Sequence, residues 1–297
     1  MNRIPFELQA QILSLLAQGM SLRGIATHLR ISLNAVSRNA VWMGEACQRF
    51  HDATVVGLKP TRIEVDEAWT FIDTKDDNLP ETLKKFPDYG TSYVWASTDP
   101  DSKIMCNWYV GKHELADATI FINDLARRIT SRFQLHSDQL PHYRSVVEEA
   151  FGDRVDYATV QKDTTDAPKT PDGNFEQAIF LGQRCASVYG DPDMEIVTTT
   201  SIESQNTRLR CWNKRMNRRT IAFSRRLRNL RASVAIHFVY QNFCRDLPRP
   251  KRGPREKGTA ATKAGLAMHK WKVEQLLEKI LPYEQRDANY LNKRKAA

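Results

Sequence analysis

The chain has 297 residues, of which 41% are apolar and 27% charged, and its net charge is +9. This composition excludes a disordered or fibrous protein, and the length predicts two domains and a tail. No apolar stretch approaches the roughly 20 residues that span a bilayer, and the N-terminus lacks a signal-peptide pattern. We therefore expect a cytoplasmic protein without a membrane partner.

The charges and cysteines narrow the class of partner. Five scattered cysteines without a Cys-x-x-Cys pair argue against a zinc module or a disulfide framework. Residues 1–203 carry 20 Lys and Arg against 29 Asp and Glu, whereas residues 204–297 carry 24 against 6. A solvated helical surface mixes both signs. The basic segment therefore favours nucleic acid, because each neutralised phosphate releases condensed counterions.

The first 50 residues show three amphipathic segments in the order of a helix-turn-helix. Helices are predicted over Phe6–Gln18, over 21–29 after the N-cap Ser21, and over 33–50 after the N-cap Ser32. A helical bundle used for dimerisation is the alternative. In the DNA-binding interpretation, the third helix would present these residues to the major groove: Asn34, Ser37, Arg38 and Asn39.

The pattern then changes to that of a mixed α/β domain. Strands are predicted at 63–72, 92–98, 104–110, 133–137 and 155–160, with helices over 114–129 and from Pro141 onward. This order predicts a ribonuclease-H-like mixed sheet flanked by helices and preceded by the all-α helix-turn-helix domain.

The remainder of the chain is predicted to be largely helical. The polar stretch of about 161–195 is interpreted as an insertion at the rim of the sheet. A basic helix follows Thr198, a long helix covers about 223–243, and a short amphipathic one covers 271–281. We therefore predict a helix-turn-helix domain (1–54), a catalytic domain (62–245), and a basic linker with a helical tail (246–297).

Three acids fall at ends of predicted elements. Asp66 lies in a strand-like run, Asp138 where another strand stops, and Glu203 in the first turn of the basic helix. Carboxylates so gathered suit a divalent-metal site for phosphodiester chemistry. Oxygen ligands favour Mg²⁺, with Mn²⁺ as an alternative. Strand alternation does not choose between Glu64 and Asp66, and it leaves Glu67 in phase with the apolar residues.

The basic helix would serve both the metal site and DNA. Asn206 and Arg210 share one side of it with Glu203. The cations and amides expected to contact DNA from this region are Asn206, Arg210, Lys214, Arg215, Arg218 and Arg219.

A competing transition-metal constellation is His136–Asp138–His142. Its spacing fits neither a helical i,i+4 histidine pair nor a zinc finger, so a histidine beside the carboxylates or on the surface is favoured.

Several blocks together resemble a known family. Val65–Trp69, Ser137–Tyr143 and Thr199–Asn206, with Ala222–Arg225 and Tyr240–Arg245 downstream, are similar to the blocks of the Insertion Sequence One family of bacterial transposases. The resemblance implies a DDE recombinase with a ribonuclease-H-like fold.

In this resemblance the catalytic acids and metal ligands match Asp66, Asp138 and Glu203, while Glu64 and Glu67 match no ligand. It implies hydrolysis at a transposon 3′ end and attack of the freed hydroxyl on target DNA. The partners would be double-stranded DNA (terminal inverted repeats and target) and further copies of the chain in a homo-oligomer. The location would be the bacterial nucleoid.

Two features depart from the compact members of that family. The absence of a cysteine pair means that their zinc-ribbon-like element is missing, and the Asp138–Glu203 interval of 65 positions is longer, which the insertion would explain. Two other functions stay open: a non-catalytic helix-turn-helix regulator on a degenerate core, and a nuclease that cuts without joining. Retention of all three acids with Asn206 and Arg210 favours the transposase.

Overall fold

A computed structural model describes residues 4–165, 179–218, 220–248 and 256–284. The helices are α1 (Phe6–Ala17), α2 (Leu22–Leu29), α3 (Leu33–Thr54), α4 (Glu81–Lys84), α5 (Leu115–Arg128), α6 (Pro141–Phe151), α7 (Thr200–Trp212), α8 (Leu227–Phe243), α9 (Ala260–Lys263) and α10 (Val273–Ile280). The strands are β1 (Arg62–Ile72), β2 (Gly90–Thr98), β3 (Met105–Gly111), β4 (Phe133–Ser137), β5 (Val155–Thr164) and β6 (Phe180–Tyr189).

The strands form one mixed sheet in the order β3-β2-β1-β4-β5-β6. Strand β2 is antiparallel to both β1 and β3, β4 runs parallel to both β1 and β5, and β6 closes the sheet as an antiparallel edge. The order of the first five strands is that of a ribonuclease-H-like sheet. The predicted α/β fold class, with helices before the sheet, is confirmed.

Helices cover the two faces of the sheet, and the alternation of side chains on β1 identifies the face on which each helix lies. The backbone amide of Ile202 in α7 binds Glu64, whereas Tyr143 in α6 binds Glu67. Because residues 64 and 67 point to opposite faces of a strand, α7 and α6 lie on opposite sides of the sheet. Helix α8 packs beside α7 and against β3, and α5 packs beside α6.

The N-terminal helices are capped as predicted and form a further layer. The hydroxyls of Ser21 and Ser32 accept hydrogen bonds from the first turns of α2 and α3, both at 3.1 Å. A small apolar cluster of Ile12, Ile25 and Val36 joins the three helices. The domain boundaries and the DNA-binding role of these helices stay predictions.

Helix α3 continues to Thr54, four residues beyond the predicted end, and its later turns pack on α8. A Cβ atom at Gly44 would lie 2.3 Å from the carbonyl oxygen of Ala232, so the two backbones approach as closely as a glycine allows. The buried guanidinium of Arg128 ties α5 to α3 through Asp124 and Asp52, at 2.9 and 2.6 Å. These contacts attach the first layer to the sheet.

Two predicted elements differ in the structure. The stretch interpreted as a polar insertion contains the end of β5 and the whole of β6, because backbone pairing with β5 compensates for a weak apolar pattern. The basic helix α7 ends at Trp212, where the side chain of Asn213 donates to the carbonyl of Ser233 at 3.1 Å and the chain turns. The buried Met216 thus packs from a turn rather than from a helix.

No helix in the described part of the chain is long and apolar enough to cross a membrane. The predicted tail lies partly outside the described residues, at 249–255 and 285–297, as does Arg219.

The close crossing of α3 and α8 predicts a stability effect. We expect Gly44→Ala to lower the free energy of unfolding by about 1–3 kcal/mol or more, because the added methyl group overlaps the backbone of Ala232. Urea unfolding followed by circular dichroism measures this. Gly182→Ala in β6, where a Cβ atom meets nothing within 4 Å, is the control and should change stability by under about 1 kcal/mol. Equal effects of the two substitutions would contradict the packing.

Candidate active site

The site begins where two central strands part. Strands β1 and β4 pair in parallel only from Arg62 to Glu64, opposite Gln134 to His136. Beyond that point the strands are no longer hydrogen-bonded to each other, and β4 ends at Ser137. In open α/β sheets, the crevice at the carboxyl ends of parallel strands is the usual place for a ligand.

Three carboxylates meet in this crevice. Asp66 and Glu67 on β1, and Asp138 directly after β4, each offer an oxygen atom within 4.8 Å of the others. Asp66 and Glu67 are mostly buried and Asp138 is exposed. The backbone amide of Leu140 donates to Asp138 at 3.0 Å, which holds the turn between β4 and α6. Two of the three acids predicted from the sequence are therefore brought together.

Helix α7 supplies an amide to the same crevice. The Asn206 side chain donates from Nδ2 to Asp66 Oδ2 at 2.8 Å. Its Oδ1 atom is buried and has no hydrogen-bond partner among the described residues. One turn later, Arg210 donates to the backbone carbonyl of Trp69 at 3.1 Å. These contacts set α7 against β1 and leave one buried acceptor beside Asp66.

Glu203 lies outside this group of carboxylates. It forms an ion pair with Lys162 on β5, and the hydroxyl of Thr199 donates to it at 2.8 Å. The physical reason is charge: Lys162 offers a cation where the crevice offers only further acids. The prediction that Glu203 joins Asp66 and Asp138 therefore stays a prediction.

The pKa values of Asp66 and Glu67 in the carboxylate group are raised, because both acids are buried and lie close to other carboxylates. Burial raises the pKa of Asp66 to about 7, and the neighbouring charges of Glu67 and Asp138 add to that rise. Burial also raises the pKa of Glu67, and the nearby His113 ring and the Tyr143 hydroxyl partly offset this rise. A divalent cation among these oxygens would reverse this destabilisation of the charged forms.

Glu64, which strand parity could not separate from Asp66, has a different role. Its side chain is fully buried, and Oε2 accepts the backbone N–H of Ile202 at 2.9 Å. Burial raises the pKa of Glu64 to about 7, against the hydrogen bonds from α7. Glu64 is thus an acid placed at a helix N-terminus, where the free N–H groups favour negative charge. The structure separates it from the carboxylate group.

The alternative histidine constellation is not assembled. His136 is buried, with Nδ1 at 3.1 Å from the carbonyl of Thr198 and Nε2 at 2.7 Å from the side-chain nitrogen of Gln134. Burial lowers the pKa of His136 to about 4. Both ring nitrogens serve the packing of the chain segment before α7, so His136 is a neutral core residue.

The predicted groove-facing residues of α3 differ in exposure. Asn34 and Arg38 are exposed, whereas Ser37 and Asn39 are half-buried. The Asn39 amide donates to the carbonyl of Ala35 at 2.8 Å and accepts from Trp42 at 2.9 Å, which ties it to its own helix.

The cations after α7 also divide into two kinds. Lys214 and Arg218 are exposed. Arg215 is half-buried and donates to the hydroxyl of Ser224 at 3.1 Å, so it braces the segment between α7 and α8. Burial lowers the pKa of the half-buried Arg210, and the charge of Arg218 adds to this effect. A basic edge therefore borders the carboxylate group.

Glu67 is the residue that sequence reasoning missed. Its in-phase position with the apolar residues of β1 suggested packing, and the family resemblance matched it to no ligand. The adjacent pair Asp66-Glu67 at the point where β1 leaves β4 was the available signal, but the end of that pairing is not visible in the sequence.

No family model matches the sequence, and no curated protein matches it. Among solved structures, the chain is similar to the Mos1 transposase paired-end complex with left transposon end (14% identity, 51% of this chain and 57% of that chain, TM-score 0.22). The Mos1 Strand Transfer Complex gives 16% identity, the same coverages and a TM-score of 0.22. The piggyBac transposase synaptic complex with hairpin DNA gives 8% identity, 98% and 72% coverage and a TM-score of 0.41.

The chain thus spans 57% of the length of the Mos1 chains. The three similar structures are transposases, but because the TM-scores are 0.41 or less, these similarities do not indicate a function for this chain. Membership of the Insertion Sequence One family stays a prediction.

The burial of His136 predicts a pH effect on stability. The unfolded chain binds a proton near pH 6.5, whereas the folded protein resists it until about pH 4, so stability is lost as the pH falls through this window. We expect His136 to contribute a loss on the order of 2 kcal/mol between pH 7 and pH 5. Urea unfolding at both pH values measures it.

His136→Gln should remove this contribution and leave those of the other buried groups, which include His237, whose pKa burial lowers to about 3, and the acids Glu64 and Asp66, whose raised pKa values act in the opposite direction. The half-buried His142, replaced by Gln, is the matched control. If both variants keep the wild-type slope, His136 does not titrate as its burial requires.

Proposed function

We propose that this protein is an Mg²⁺-dependent DDE transposase, of the kind that the Insertion Sequence One family resemblance implies. The observation that carries the proposal is the meeting of Asp66, just beyond the end of the β1–β4 pairing, with Asp138, directly after β4, beside the basic edge of α7. The transposases named above belong to the same class, but the proposal rests on the site and on the sequence blocks.

The donor set fits a hard divalent cation. Every donor in the group is a carboxylate oxygen, and the buried Asn206 Oδ1, which has no hydrogen-bond partner among the described residues, is a further oxygen acceptor. Mg²⁺ prefers such ligands and retains waters, for which the Asn206 oxygen is an acceptor. We assign its binding to Asp66, Asp138 and Glu203. When bound, Mg²⁺ supplies activation of the attacking oxygen and stabilisation of the leaving oxygen in an in-line displacement.

On metal binding, the Glu203 carboxylate would leave its ion pair with Lys162 and bind the cation. The acid lies on the first turn of α7, whose Asn206 already binds Asp66. Because α7 is anchored on β1 at Glu64, Asp66 and Trp69, the change falls on the Glu203 side chain rather than on the helix. Lys162 would then be released beside the DNA phosphates, which a cation favours.

The basic edge would bind and orient the DNA. Arg210 on α7 contacts β1 at Trp69, and the exposed Lys214 and Arg218 follow it along the chain; all three would contact phosphates. In the first reaction, water attacks the phosphorus at the element end, the P–O3′ bond breaks, and a free 3′-hydroxyl remains. In the second, this hydroxyl attacks a target phosphorus, a new P–O3′ bond forms, and the target strand leaves with its own 3′-hydroxyl.

The acids predict the outcome of a strand-transfer assay. The full chain is incubated with Mg²⁺, DNA carrying the element's terminal repeats, and a plasmid target. We expect Asp66→Asn, Asp138→Asn and Glu203→Gln each to lower joined product by at least about 100-fold, because each removes a charge that stabilises the transition state. Sequencing of the joined products and gel quantification measure this.

Glu45→Gln is the control, since Glu45 pairs with Arg228 on α8, away from the crevice, and should leave joining unchanged. Cleavage without joining would favour the nuclease. DNA binding with neither cleavage nor joining, in wild type and variants alike, would favour the non-catalytic regulator.

The two kinds of cation after α7 predict different responses to salt. Arg218→Gln should weaken DNA binding and reduce the slope of log affinity against log salt by about 1, because an exposed phosphate contact is lost. Arg215→Gln should leave that slope unchanged and lower the thermal midpoint, because Arg215 braces Ser224. Fluorescence anisotropy at several salt concentrations separates them. A larger slope change for Arg215 would contradict the assignment.

A further inference from the structure

We propose that Glu67 is an additional ligand of the divalent-cation site, reaching it from the face of the sheet opposite to α7 and held in place by Tyr143 and His113. The inference deepens the proposed function and rests on it. It adds a fourth carboxylate to a site for which the sequence indicates three.

The path of β1 brings the Glu67 carboxylate to the same site as Asp66 and Asp138. Asp66 and Glu67 leave the strand on opposite faces, yet their carboxylate oxygens and that of Asp138 all lie within 4.8 Å of one another. This convergence occurs beyond Glu64, where the pairing of β1 with β4 has ended. A cation in the crevice would be contacted from both faces of the sheet.

The Glu67 side chain is held in a fixed position by neighbouring side chains. Its side chain is only 5% exposed, among the α5 and α6 side chains, where an isolated carboxylate is costly. The hydroxyl of the fully buried Tyr143 donates to Oε1, and His113 Nε2 lies 3.8 Å from Oε2. His113 is itself fixed by stacking on Tyr93, with ring centroids 4.3 Å apart. These partners orient the carboxylate as outer-shell groups orient a metal ligand.

The side-chain amide of Asn206 provides a separate observation at the same site. Asn206 is 8% exposed, and its amide is directed into the crevice by the hydrogen bond to Asp66. Its Oδ1 atom has no partner among the described residues, although a buried acceptor ordinarily has one. An acceptor left open beside three carboxylates indicates a donor that the protein does not supply, such as water on a bound cation.

The acids near the crevice differ in their partners. Glu203 forms an ion pair with Lys162, and Glu64 lies outside the group and accepts the N–H of Ile202 at the start of α7. In contrast, Asp66, Glu67 and Asp138 converge, and no Lys or Arg of the described chain forms an ion pair with any of them. The countercharge of this group is therefore assigned to a divalent metal.

The test is direct metal binding to the full chain without DNA. Free Mn²⁺ is followed by electron paramagnetic resonance during titration. We expect Glu67→Gln to raise the Mn²⁺ dissociation constant about tenfold or more, and Tyr143→Phe to raise it by roughly tenfold, as the loss of outer-shell groups commonly does. Glu64→Gln removes the same charge from the same strand but keeps an oxygen for the Ile202 amide, and should change the constant by less than about twofold.

The Asp66→Asn variant tests the metal site separately from the role of Glu67. If Asp66→Asn weakens Mn²⁺ binding while Glu67→Gln behaves as Glu64→Gln does, the role of Glu67 is wrong and the metal site stands. If Asp66→Asn also has no effect, the metal site and the proposed function fail together. Should Glu67→Gln not fold by circular dichroism, Glu67→Asp keeps the charge but shortens the reach. Unchanged Mn²⁺ affinity in that variant would likewise overturn the inference.

Discussion

The separation of β1 from β4 is the constraint on which the site depends. Parallel pairing stops at Glu64 and His136, and the next acids on both chain segments then face one another across the crevice. A closed ladder would have kept Asp66 and Glu67 on opposite sides of a continuous sheet. Opening it instead concentrates negative charge, which burial makes more costly, and this cost is what a divalent cation would offset.

Strand β1 carries three acids within four residues, and each meets a different environment. Glu64 binds the N-terminus of α7, Asp66 shares the crevice with Asn206, and Glu67 reaches it from the α6 side through Tyr143. The first contact positions the helix that bears Glu203, so the same strand organises both the carboxylate group and the helix beside it. Charge on a buried strand therefore has a structural and a functional component here.

The N-terminal layer is coupled to this core through backbone proximity and one buried cation. Gly44 allows α3 to lie directly on α8, and Arg128 joins α3 to α5 by way of Asp52 and Asp124. The stacked rings of Phe243 and Trp271, 4.5 Å apart, bring the chain after the linker onto the same layer. A DNA-reading role for α3 would thus act on an element already attached to the sheet domain.

The sequence by itself predicted the α/β class and the order of the first five strands, because apolar periodicity is a local property. It also indicated Asp66 and Asp138 as acids of one site, although only the family resemblance favoured Asp66 over Glu64. It did not reveal β6, whose exposed, weakly patterned residues are held by pairing with β5. It also could not sort Glu64, Glu67 and Glu203. Only the tertiary structure decided that α7 engages Glu64, that Lys162 engages Glu203, and that Glu67 enters the carboxylate group. These outcomes depend on where β1 and β4 part and on which partner lies across the crevice, and neither is encoded in residue spacing.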